Sequence, residues 1–115
     1  GGTGAHGILI DGDYLIYACP PARQIFWINK QSWKVKATWP VPGNRPHDTS
    51  WTRDRKTIWS SDSNLNAFFR HDVKTGTIFE RVQLPDTSPV IHGAKLVGDW
   101  MYFCDDMGWM ARFRI

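Results

Sequence analysis

The chain has 115 residues, enough for one modest domain, and its 42% hydrophobic and 14% aromatic content gives it the means to bury a core rather than stay disordered. Fourteen Lys and Arg against eleven Asp and Glu leave a net charge of +3, scattered as a solvated surface rather than gathered into a nucleic-acid footprint. No apolar run approaches the ~20 residues that cross a bilayer, and the first residues lack the basic-then-apolar order of a secretory leader, so neither a membrane span nor a signal segment is expected.

In chain order, the first four strands are expected over 7–10, 14–19, 24–29 and 33–39, separated by Asp11-Gly12-Asp13, Pro20-Pro21-Ala22 and Lys30-Gln31-Ser32. Lys34 and Lys36 alternate with Trp33, Val35 and Ala37 as an outer strand should, which places these lysines on a solvated face. Four more strands follow over 48–52, 57–61, 67–72 and 77–84. Lys74-Thr75-Gly76 closes the last hairpin with glycine at a left-handed position. Three strands remain, over 93–97, 100–104 and 109–114.

These strands are copies of one another. His6-Gly7, four residues, Gly12-Asp13 recurs as His92-Gly93, four residues, Gly98-Asp99 at an offset of 86, and a more degenerate copy begins near the half-way point, at His47. A period in the low forties built of short strands is the spacing of four-stranded propeller blades. The reading is therefore an all-β, single-domain β-propeller segment over 1–115, with blades near 5–44, 45–88 and 89–115 and an outer strand missing from the third. The residues ahead of His6 are mostly glycine and make a poor strand to close a ring. Two routes would cover the outward faces of the first and third blades: homodimerisation into a six-bladed ring, or membership of a longer propeller.

Arg45-Pro46-His47, the strand up to Trp59, Ser60-Ser61-Asp62, Asn64, Asn66 to Arg70, Asp72 and Thr75-Gly76 together carry a family resemblance. The string resembles the blade pattern of the virginiamycin B lyase-like and NHL-repeat propellers: Pro-His-Gly, a strand, a Trp and an Asp at its end, Asn and Arg in the next, then Thr-Gly. Asp48 departs from it by replacing the Gly after His, and Ser60-Ser61 by replacing two apolar residues. The resemblance implies a six- or seven-bladed fold. It spans lyases, hydrolases and interaction modules, so it fixes no single activity.

His6, His47 and His92 stand at the entry of the innermost strand of each repeat, and Cys19, Asp62 and Asp105 close the second strands at the same end. Three imidazoles are thus expected around one mouth of the channel, with Asp62, Asp105 and Cys19 beside them as ligand-binding groups, the carboxylates able to orient the rings. Such imidazoles can bind zinc, which lowers the pKa of a bound water to ~7. Alternatively one imidazole serves as general base for elimination or hydrolysis. The resemblance implies a catalytic histidine and a divalent metal, Zn or Mg. The structural alternative is that each histidine bonds the neighbouring blade and holds register. The leading function is a metal- or His-assisted lyase or hydrolase on a small molecule. The rival is a non-enzymatic module or scaffold for a protein or glycan partner.

His71 has no counterpart in the other repeats and is expected at the surface. Asp105-Asp106 reads as a turn before an acid pair. The seven Trp invite a sugar-stacking reading, but most are expected between blades, with one or two lining a mouth. Cys19 and Cys104 end strands in blades one and three, too far apart for a bridge that needs Cα atoms within ~7 Å, so free thiols and a reducing, cytoplasmic setting are expected.

Overall fold

A computed structural model describes residues 4–115. Among them, β1 (His6–Asp11), β2 (Tyr14–Cys19), β3 (Gln24–Asn29) and β4 (Val35–Pro40) form one antiparallel sheet in sequential order. A second is built the same way from β5 (Pro46–Trp51), β6 (Thr57–Asp62), β7 (Ala67–Asp72) and β8 (Ile78–Gln83). The third has three strands, β9 (Gly93–Val97), β10 (Trp100–Cys104) and β11 (Met110–Arg114). Five strands, β2, β3, β7, β9 and β10, have the bounds that their turn residues predict. Among the described residues the only helix is a 3-10 turn, Pro20–Ala22, too short to cross a membrane.

Where sequence and structure differ, local hydrogen bonds explain the shift. The expected strand 33–39 is displaced because Asn29 Oδ1 accepts from the amides of Gln31 and Ser32 at 3.0 and 2.9 Å, and the Asn29 carbonyl takes the Trp33 amide at 2.9 Å. This Asx-type turn runs two residues longer than a plain hairpin and leaves Trp33 at φ 59°. Trp33 and Trp39 therefore do not share a strand face: Trp33 is exposed, whereas Trp39 lies in the core. At the start of blade two, a bulge between Pro46 and Thr49 lets β5 begin earlier than expected.

The blades stack face to face around two cores. Leu9, Ile16, Ile25, Trp27, Trp39 and Ile58 fill the space between blades one and two. Trp59, Phe68, Leu84, Ile91, Met101 and Phe103 fill the space between blades two and three. Ile58 and Trp59 are neighbours on β6, so they point to opposite faces and feed different cores. Polar stitches add to the second interface. Asp48 Oδ2 accepts from the Ala94 amide at 2.8 Å, and Ser50 Oγ from the Leu96 amide at 2.9 Å, so β5 is tied to β9 across the blade boundary.

Close approach also explains one of the repeated glycines. Gly7 sits at φ 57°, and a Cβ there would collide with the Asp48 side chain and backbone. The Gly at this frame position thus lets β1 meet β5, while its replacement Asp48 reaches onward to β9.

Candidate histidine site at the propeller axis

The three innermost strands lie side by side, and each brings a histidine to the same end. His6 opens β1 and pairs with Ala18; Pro46, beside His47, pairs with Asp62; the His92 amide bonds the Cys104 carbonyl at 2.7 Å. Their rings form a file. His6 and His47 have centroids 4.1 Å apart with planes inclined at 33°, and His47 and His92 lie 4.2 Å apart at 63°. The middle ring, His47, is 5% exposed, and its two neighbours are half-buried. Nε2 of both His6 and His47 is buried without a hydrogen-bond partner among the described residues.

Burial, reinforced by the like charges that His6, His92 and Arg45 would present, lowers the His47 pKa to about 4, against a weaker opposing effect of the His92 backbone. His47 is therefore neutral at pH 7. Charge on either neighbouring ring therefore acts against a proton on His47.

The loop residues expected beside them have other engagements. Asp62 is buried, its Oδ2 accepting from the Arg45 amide at 2.8 Å and its Oδ1 from Leu65 at 2.9 Å. Asp105 Oδ1 accepts from the amides of Met107 and Trp109 at 3.0 and 2.9 Å, the turn role its sequence context indicates. Cys19 closes β2 one residue beyond the partner of His6, and both it and Cys104 are free and half-buried thiols. These carboxylates hold the loops that frame the mouth, with no hydrogen bond to the imidazoles. As placed, the rings do not fit a divalent ion: they pack against one another, and among the described residues no group of three or more His, Cys, Asp or Glu is arranged to hold a metal.

His71 is not at the surface. It is fully buried in blade two, with Nδ1 3.1 Å from the Gly76 carbonyl and Nε2 2.8 Å from Ser60 Oγ. A carbonyl only accepts, so Nδ1 carries the proton and the Ser60 hydroxyl donates to Nε2. Trp39 of blade one stacks on this ring at 5.9 Å, and a Cβ at Gly76 would collide with the same indole. Desolvation lowers the His71 pKa, and its role is to hold a core hairpin.

Sequence reasoning did not find two features of this end. Asp48 bridges to β9 beside the histidine file; its departure from the Gly frame was the available signal. Trp109 is 67% exposed on the hairpin after β10, with Met107 at its tip. A cleft of about 800 Å³ lies at the opposite end of blades two and three, lined by Arg53, Lys56, Arg70, Asp54, Asp72 and Asp99 among others. Its opposite charges offset one another and Arg70 is paired with Glu80 at 2.7 Å, so size alone does not make it the chemical site.

No protein-family model matches the chain, and no curated protein matches it by sequence. Solved structures do. The chain superposes on Kuenenia stuttgartiensis hydrazine synthase with a TM-score of 0.77 at 15% identity, over 97% of its own length and 33% of that chain. A catalytically inactive His-to-Ala form of Staphylococcus aureus virginiamycin B lyase with quinupristin gives 0.67 at 16% identity, over 98% of this chain and 42% of that one. A streptogramin B lyase structure gives 0.65 at 15%, covering 98% and 41%. The fold is a partial β-propeller, and it resembles the virginiamycin B lyase-like group. At these identities the likeness extends to the fold alone, and the chain spans a third to two fifths of the length of these structures.

Proposed function

We propose that the chain supplies three blades of a closed propeller and that His6, His47 and His92 form its working site, in a lyase or hydrolase acting on a small molecule. The observation that carries this reading is the contact of three imidazoles from three successive blades, with buried, unpartnered Nε2 atoms on two of them. His92, half-buried at one end of the file and without a buried, unpartnered ring nitrogen, takes the role of proton-transfer residue toward substrate. The neutral His47 beside it resists protonation and does not compete for the transferred proton. Because the rings as placed do not fit an ion, the imidazoles carry the proton transfer themselves.

Ring closure belongs to the same proposal. Ile8, Ile10, Leu15, Tyr17 and Phe26 share the outward face of blade one, and Trp100, Tyr102 and Met110 that of blade three. By the repeat, Leu15 and Tyr17 correspond to Met101 and Phe103, which are buried against blade two. The open faces thus carry residues that this fold buries elsewhere, with Ile8 and Ile10 left 68% and 62% exposed. A second copy, blade three of each on blade one of the other, covers both and brings six histidines to the axis.

The test is turnover on a panel of small esters, lactones and amides, with quinupristin included. Activity that falls at least about a hundredfold in His92→Ala, with the fold kept, supports the reading. Equal activity in His92→Ala and wild type removes it. A non-enzymatic module for a protein or glycan is the second reading, favoured by carboxylates engaged with loop amides rather than the histidines.

A further inference from the structure

We infer a carbohydrate subsite on the histidine end, in the cleft of about 420 Å³ between the β10–β11 hairpin and the loop before β9, with Trp109 as its stacking platform. Thr87, Ser88, Pro89, Asp105 and Trp109 line it. Unlike the apolar residues on the outward blade faces, Trp109 would remain open in a closed ring. Side chains alternate along the last strand: Met110 is opposite Cys104 on the outward face, and Ala111 packs into the core toward blade two. Trp109 falls on the blade-two side, and the other wall of its cleft is the connection from blade two.

Both walls are held in place before any ligand arrives. Asn66, at φ 49°, donates from Nδ2 to Ser88 Oγ at 3.1 Å and to the Pro89 carbonyl at 3.3 Å, and its Oδ1 accepts from the Ile91 amide at 3.0 Å. Asp105 Oδ1 holds the hairpin through the Met107 and Trp109 amides. Its Oδ2 and the Thr87 hydroxyl have no hydrogen-bond partner among the described residues. An exposed indole face, a free carboxylate oxygen and a hydroxyl around one small cleft complement a pyranose, which offers an apolar ring face and a rim of hydroxyl donors and acceptors. Pre-organisation of the walls lowers the ordering cost of such a weak contact.

The subsite also lies within reach of the axis. Two strand spacings of about 4.8 Å separate β9 from β11, so Trp109 sits roughly 10 Å outside His92 along the same mouth. The inference needs no chemistry at the histidines and holds for an enzyme or a binding module alike.

Cellobiose, maltose and N,N′-diacetylchitobiose are the probes, titrated into the whole chain while the indole N–H resonance of Trp109 is followed by proton–nitrogen NMR. At least one is expected to shift that resonance with millimolar affinity. Trp109→Ala should weaken binding, read by saturation transfer, about tenfold or more, Trp109→Phe and Thr87→Val less, and His92→Ala by no more than about twofold. No response of Trp109 to any of the three sugars overturns the subsite. So does affinity unchanged in Trp109→Ala or, where that variant fails to fold, unchanged in both Trp109→Phe and Thr87→Val. Loss of turnover in His92→Ala with sugar binding retained separates this inference from the catalytic one.

Discussion

Blade two and its neighbours are built from the same repeat but are buried differently. In β6 every residue after Thr57 is buried, whereas β2 and β10 alternate between buried and half-buried or exposed positions. The middle blade is covered on both faces, so small hydroxyls and a histidine enter its interior along with aromatics: Ser60, Ser61 and His71 lie beside Trp59, Phe68 and Phe69. The outer blades each have one such face and leave the equivalent one open. The difference shows what an inter-blade surface of this protein looks like when it is packed, and the open faces carry apolar residues such as Ile8, Ile10 and Trp100.

The largest effect is expected from truncating a side chain in the doubly covered blade. Phe68→Ala should cost about 3–5 kcal/mol in chemical denaturation, because its ring meets Phe103 and Phe113 and has no solvent to relax into. A loss under about 1 kcal/mol would mean that blade three is not packed on blade two.

Acidification comes next. The folded His47 pKa, about 4, lies below the ordinary imidazole value near 6.5, so the unfolded chain takes up its proton first as pH falls. Stability from this residue is complete above pH ~6.5 and is lost between there and pH ~4, by up to about 3 kcal/mol. His71 acts in the same direction. Asp48, whose carboxyl burial holds above the usual range, opposes them. Denaturation midpoints measured across that window should fall steadily, and His47→Phe should flatten the slope.

Asp48→Ala sharpens the contrast between the two interfaces, since it strips partners from the Ala94 and Thr49 amides and should cost about 1–3 kcal/mol. Gly7→Ala should be destabilising in wild type and partly rescued by Asp48→Gly, as the clashing side chain is then gone. Additive effects in that double mutant would place the two residues apart.

The smallest expected effect is on the open face. Tyr17→Ala in a monomer should cost about 1 kcal/mol or less, because Tyr17 loses little beyond its stacking on Phe26 at 5.5 Å. In a closed ring the same change should approach the Phe68→Ala cost. Light scattering alongside the denaturation series decides which regime applies.

Repetition made the architecture legible. The His-Gly frame and the turn residues locate the blades, and five strands have the predicted bounds, because hairpin geometry is written in adjacent residues. The same frame placed His6, His47 and His92 at one end. What it did not carry was tertiary. Nothing in the order of Asp48 and Ala94 announces a bond across blades, and His71 looks like a surface residue because alternation rules presume one wet face. Its position two residues after the buried Phe69 was the usable signal. Trp33 was misplaced by a side chain, Asn29, capping a longer turn than its neighbours indicated.

The histidine file crosses both interfaces, and the lowered pKa of its middle ring depends on that packing. Following the ring carbon and nitrogen resonances of all the histidines through a pH titration tests it directly. His47 is expected to stay neutral until about pH 4. A His47 that protonates near pH ~6.5 would contradict it.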